Sequence, residues 1–596
     1  MTTLRGGIKQ AAPQKRPLNP LPMKKKITLY QLFPRLFGNE TAHPIPFGSR
    51  QENGCGTFAS VNDNALRSLA ELGITHIWFT GVPEHATSTD YSRYGITPDH
   101  PLVIKGRAGS PYAIKDYYDV HPDLAEEPEN RMQEFKALIQ RTHRQGLKVI
   151  IDFVPNHVAR NYHADNLPEG HGQLGENDDP TSAFAPENNF YYLPEEPFRL
   201  PDEAREKCSN YVDLNTLEPY REYPAKASGN DCFTASPSIN DWYETVKLNY
   251  GVDYQSSQNH FSPIPDTWQK MQAILLFWSA MGIDGFRCDM AEMVPVAFWH
   301  WAISNLKRTY PQLIFIAEVY NPDRYHAYLH EGQFDYLYDK VGLYDTLRNL
   351  TTGGGSIHDI THVWQNLGGL DPFMLRFMEN HDEQRIASTH FAGKAERGLP
   401  AMVVSTLMHQ GPVMIYNGQE LGEQGDAQAG FSGDDGRTTI FDYWHMPEVQ
   451  RWNHHGAFDG ANLSPSVQQL RNAYGDLLRF AGQHPAISTG AFYDLMWINP
   501  HLQEERIYAF LRHTEEEKIL IVASFNALPQ KSMVTLNAHV LETLGMEETT
   551  QLQRKQQLPT LPEETSTYAK KADVFTLPIT LEAFGYQAYS LHTISS

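Results

Sequence analysis

The stretch Asp266–Asp289 leaves few folds open to this chain. Trp268, Met271, Ile274, Leu275, Trp278 and Met281 recur at three- and four-residue steps and so share one helical face, which Gly282 ends. The chain then becomes short, extended and apolar: Ile283-Asp284-Gly285-Phe286-Arg287-Cys288-Asp289 closes on an arginine and a carboxylate two residues apart. On a strand those two side chains point the same way. Charges at the end of a buried strand are costly unless they pair or do chemistry. Taken alone, this stretch fits a structural ion pair as well as a reacting carboxylate.

Three other runs repeat the pattern. Leu147 to Val154 leads into Pro155-Asn156-His157, Leu313 to Ala317 ends in Glu318, and Phe373 to Met378 leads to Glu379-Asn380-His381-Asp382. Four apolar strands with titratable groups at their C-terminal ends predict the working face of an α/β fold, the (β/α)8 TIM barrel.

These residues carry a resemblance. Asp152-Phe153-Val154-Pro155-Asn156-His157, Gly285-Phe286-Arg287-Cys288-Asp289, Ile316-Ala317-Glu318-Val319 and Glu379-Asn380-His381-Asp382 resemble, in order and spacing, the four short motifs of the α-amylase family of glycoside hydrolases. The likeness spans roughly residues 26 to 596. Lys247-Leu248-Asn249 is similar to a fifth motif in its neopullulanase and cyclomaltodextrinase form.

The remaining barrel elements are read in order. Ile27–Phe33, Thr75–Thr80, Phe334–Tyr338 and Pro412–Tyr416 are expected strands one, two, six and eight. Helices are expected over Leu66–Leu72, Asn130–Gln145, Val296–Lys307 and Leu399–Gln410. Between His157 and about Asn249 the pattern dissolves into loop-rich sequence too long for an ordinary barrel connection. After about Phe480 the texture changes to alternating strands, with a hairpin of Arg506–Leu511 and Lys518–Ala523. The expected division is a flexible leader over 1–25, a barrel over 26–157 and 250–480, an inserted domain over 158–249 and a C-terminal β-sandwich over 481–596.

Composition narrows the function classes. A net charge of −22 argues against a nucleic-acid footprint and fits a neutral substrate. No stretch is long and apolar enough to span a membrane. The basic, proline-bearing start has no apolar signal core, so a cytoplasmic location is expected, although a secreted chain whose signal had been removed would read the same way. Cys55, Cys208, Cys232 and Cys288 lack zinc-site spacing. A Cys208–Cys232 disulfide is conceivable, with reduced thiols the default.

A retaining glycosidase needs a carboxylate nucleophile and a carboxylic acid about 5 Å apart. Arg287 beside Asp289 favours the ionised form a nucleophile needs, and desolvation at Glu318 favours the protonated form an acid needs. The resemblance implies that Asp382 grips substrate hydroxyls and stabilises the transition state. It also implies that Tyr112, four residues before Asp116, stacks on the sugar ring, and that His157 and His381 hydrogen-bond it at a site shared with Arg287. In typical members an Asp stands at the position of Lys247 and holds calcium with an Asn like Asn156. Asn156 is therefore the one candidate metal ligand: no cofactor is required, and calcium is possible. Met290-Ala291-Glu292-Met293 departs from the family, which has a Lys-His pair where Glu292 and Met293 stand, and this bears on specificity.

The expected activity is retaining cleavage of α-1,4-glucosidic bonds in starch-derived glucans, maltooligosaccharides or cyclodextrins. A 4-α-glucanotransferase or a related transglycosylase or isomerase is the alternative. A non-catalytic sugar-binding protein on the same barrel is the remote one.

Overall fold

The computed structural model describes residues 26–425, 428–559 and 565–594, so the expected leader lies outside the described residues. Eight parallel strands form the core: β1 (Thr28–Leu32), β2 (His76–Phe79), β3 (Lys148–Phe153), β4 (Gly285–Cys288), β5 (Ile314–Ala317), β6 (Tyr336–Tyr338), β7 (Met374–Leu375) and β8 (Val413–Tyr416). Hydrogen-bonded order across the sheet is β7-β6-β5-β4-β3-β2-β1-β8. A parallel bridge between Arg376 and Val413 joins its two edges. The barrel is thus a (β/α)8 TIM barrel.

The seventh strand is shorter than the apolar run suggests. Phe373 closes a 3-10 turn over Asp371–Phe373 and is 40% exposed, while the Arg376 main chain bridges to β8 at Val413 and its side chain pairs with Asp339 and Asp371. Apolar character alone does not reveal that a charged side chain inside the run is held by buried partners.

The organising helix runs from Asp266 to Ala280 and buries Trp268, Met271, Ile274, Leu275 and Trp278. Each large side chain contributes roughly 1.5–3 kcal/mol by leaving water. Gly282 lets the chain turn at φ +98°. Gly285 opens β4 because a Cβ there would lie 2.5 Å from Ile314 O on β5. Those two strands pair Gly285 with Ile314 and Cys288 with Ala317, which places residues 289 and 318 side by side at the barrel mouth.

Between β3 and this helix the chain makes an excursion with a single helix, Asp202–Cys208, and only short strands. Its two ends are zipped together where His157–Ala159 pairs antiparallel with Thr245–Lys247. All four cysteines are free, Cys208 and Cys232 included.

C-terminal to the barrel lies an all-β region with a six-stranded sheet and a two-stranded sheet. The expected hairpin is present as Ile507–His513 against Lys518–Ser524. Arg512, fully buried, fastens this sheet to the underside of the barrel. It donates to Met408 O at 2.8 Å, Ala486 O at 3.1 Å, Ile487 O at 2.9 Å and Gly490 O at 2.8 Å. Among the described residues no helix is long and apolar enough to cross a membrane.

Candidate active site

One guanidinium organises the mouth of the barrel. Arg287 is fully buried on β4, and its Nη1 donates to Asp289 Oδ1 at 2.7 Å and lies 3.7 Å from Asp152 Oδ1. Its Nη2 lies 2.8 Å from Glu318 Oε2, and its Nε donates to the Tyr338 hydroxyl at 3.0 Å. Trp78, Tyr112 and Tyr338 present rings to it at 5.1, 5.5 and 5.4 Å. Three carboxylates and three rings offset the desolvation of this buried cation.

This sharing corrects one expectation. Arg287 does not simply hold Asp289 ionised: burial pushes the Asp289 carboxyl well above its usual range, with Arg287 opposing and the Glu318 charge adding to the rise. A single cation divided among three acids cannot offset the loss of water around each.

Besides Arg287, two donors place Glu318. Its Oε2 accepts from Met290 N at 2.8 Å, and its Oε1 accepts from the Tyr320 hydroxyl at 2.5 Å. Met290 reaches it by adopting a left-handed conformation, φ +43° and ψ +41°, costly for a side chain of this kind and often found at working sites. Glu292 Oε2 accepts from the amides of Tyr320 and Asn321, both at 3.1 Å, and so fixes the segment behind the acid.

Asp289, Glu318, Asp382, Tyr112, His157 and His381 all line one cavity of about 320 Å³. The Tyr112 ring stacks on His381 with centroids 5.0 Å apart, and its hydroxyl donates to Asp152 Oδ1 at 3.4 Å. Burial drives both His157 and His381 down to about 3, so both are neutral hydrogen-bonding groups at ordinary pH. Asp382 is half-buried at the rim, its carboxyl raised by burial.

The sequence reading missed several lining residues: Lys105, Trp242, Glu244, Tyr320 and Phe441. Tyr320 had a signal, since residue 318 and residue 320 share a face. Trp242 and Glu244 come from the loop-rich excursion, where no period marks a position. Asp152 stood inside a quoted motif, yet only the structure shows its link to Arg287 and Gly81, whose amide donates to it at 3.1 Å.

Asn156 is occupied otherwise. Lys247 Nζ donates to Asn156 Oδ1 and to Met293 O at 3.2 Å, and it lies 2.7 Å from Asp231 Oδ1. An ammonium buried against the carboxamide already supplies the positive charge, so this donor set does not fit a calcium ion. Among the described residues no group of three or more His, Cys, Asp or Glu is arranged to hold a metal.

Comparison with known proteins adds to this geometry. "Alpha-amylase 3" of Dictyoglomus thermophilum is 24% identical over 437 residues, covering 70% of this chain and 74% of its own. "Neopullulanase 2" of Thermoactinomyces vulgaris is 23% identical over 67% of this chain, which spans 57% of that protein. The solved α-amylase of Geobacillus thermoleovorans, complexed with acarbose, superposes with a TM-score of 0.60 at 17% identity, covering 96% of this chain and 99% of that one. That likeness shows the fold. The family model "Alpha amylase, catalytic domain" matches residues 31–442, more than half of the chain, and with the four strand-end motifs around Arg287 it establishes that the chain belongs to the α-amylase family.

Proposed function

We propose that the protein cleaves α-1,4-glucosidic bonds with retention of configuration, Asp289 acting as nucleophile and Glu318 as acid and base. One observation carries the reading: a single guanidinium reaches both carboxylates from adjacent strands, with contacts of 2.7 and 2.8 Å. Carboxyls that share one planar cation suit the retaining separation of about 5 Å and leave little room for the water that inversion places between groups about 6.5–9.5 Å apart.

The steps balance on these residues. Glu318, as the acid, gives its proton to the glycosidic oxygen while ionised Asp289 attacks the anomeric carbon through Oδ, so the glycosyl ester forms as the leaving sugar departs. Glu318, now ionised, takes a proton from water, whose oxygen attacks the same carbon and frees Asp289. Asp382 at the rim grips ring hydroxyls as positive charge develops, and Tyr112 stacks beneath the ring. A sugar hydroxyl can replace water in the second step, so transfer accompanies hydrolysis at high substrate concentration. Arg287 keeps the freed carboxylate in place between turnovers.

Proton NMR of the first product released from a maltooligosaccharide, recorded before mutarotation, tests the reading. The α-anomer is expected; the β-anomer would overturn both the mechanism and the pairing of Asp289 with Glu318.

A further inference from the structure

The same cavity contains an ion pair that the chemistry above does not use. Lys105 and Glu244, 8% and 4% exposed, meet with Nζ 3.0 Å from Oε1, and both line the cavity with Asp289 and Glu318. Glu244 Oε2 is buried and has no hydrogen-bond partner among the described residues. An ionised oxygen left in that state is costly, and a donor supplied by a ligand removes the cost.

The pair's position follows from the strand order. Lys105, Ser110 and Tyr112 follow β2, and Phe441 follows β8, whereas Met290, Glu318 and Tyr320 follow β4 and β5. These sets lie on opposite sides of β3. A proton donor stands toward the leaving group, so the β2 and β8 side receives the part of the sugar chain that stays on the nucleophile. Glu244 is held there firmly: its carbonyl accepts from Arg160 N at 2.8 Å, and the next residue, Thr245, pairs with Ala159. Trp242, two residues earlier, sets its ring 5.0 Å from His157 and borders the same space.

We propose that Lys105 and Glu244 bind the hydroxyls of a terminal, non-reducing glucosyl unit and end the cleft there, so that the enzyme shortens α-glucans from that end. Glu244 Oε2 accepts from the free 4-hydroxyl, Lys105 Nζ donates to its neighbour, and Trp242 offers an apolar surface to the ring. A chain continuing past this point meets a buried strut that runs from the loop after β2 to the excursion between β3 and β4. The inference rests on the proposed cleavage of α-1,4 bonds and adds the direction of attack.

The test uses the full chain with maltopentaose labelled at its reducing end, its other end either free or capped as the 4,6-ethylidene acetal, and chromatography of the products. The wild type should cut the free substrate at least ~100-fold faster than the capped one, since a group built to hold a hydroxyl rejects its blocked form. Glu244→Gln should lower kcat/KM on the free substrate by ~10-fold. Lys105→Ala with Glu244→Ala should raise the rate on the capped substrate by ~10-fold by opening the end of the cleft. Equal wild-type rates on the two substrates overturn the inference, with or without folded variants, while leaving the hydrolase reading standing. If the wild type cuts neither, both readings fall together.

Discussion

The Tyr320 hydroxyl donates to Glu318 Oε1 at 2.5 Å, from a position two residues along the same chain. The bond orients toward the cavity the carboxyl proposed to protonate the leaving oxygen. Tyr320→Phe should therefore lower kcat on maltooligosaccharides by ~10-fold. Glucosyl fluoride, whose departure needs no proton, should be affected much less. An equal loss on both substrates would show that the hydroxyl does not act through Glu318.

Asp289→Asn keeps the shape of the side chain and removes the proposed nucleophile. Activity on maltooligosaccharides should fall by ~10⁴-fold or more. The melting temperature should not fall, because burial already disfavours the charged form of Asp289. Near-normal turnover would remove Asp289 from the reaction.

Lys247 makes the metal question measurable. We expect EDTA to leave both activity and thermal stability of the wild type unchanged, because the ammonium sits against Asn156 Oδ1 and Asp231. Lys247→Ala leaves those oxygens without a cation and should cost ~2 kcal/mol or more in denaturant unfolding. Loss of activity in EDTA, restored by calcium, would refute the first expectation.

Outside the cleft, Glu84 is 1% exposed and neither of its carboxylate oxygens has a hydrogen-bond partner among the described residues. Burial, with Asp116 and Asp119 nearby, raises it to about 9. The folded state therefore binds more protons than the unfolded state between the ordinary glutamate range and that value, so stability falls as pH rises through this window. Glu84→Gln removes the slope. Its melting temperature should gain on the wild type as pH goes from 6 to 9, by at most about 1.4 kcal/mol of stability per pH unit. A difference that stays constant with pH would refute this.

The barrel was legible because each strand is an apolar run a few residues long that ends in a polar group, a local pattern that survives folding. His157, Arg287, His381 and the three carboxylates stand at the ends of such runs, Tyr112 came only from the family resemblance, and the structure gathers them around one cavity. What the sequence withheld depends on approach between distant segments. That Asp289 shares its cation with Glu318 and Asp152 is a matter of three strands, and Arg287's neighbours cannot be counted from β4 alone. Lys105 and Glu244 lie 139 positions apart in the numbering, in loops without periodicity. The extent of β7 was over-read because Phe373 belongs to a 3-10 turn and Arg376 pairs with two buried acids, one of them Asp339 at the end of the neighbouring strand.

Arg512 gives the terminal sheet a role in the integrity of the whole chain. Its guanidinium donates to four main-chain carbonyls, one of them Met408 O just past the helix Leu399–Leu407. A truncated protein stopping where the family match ends, at residue 442, would expose that carbonyl and the apolar underside around it. The catalytic portion is thus no detachable cassette: part of its floor is laid by a residue that the chain supplies well beyond the family match.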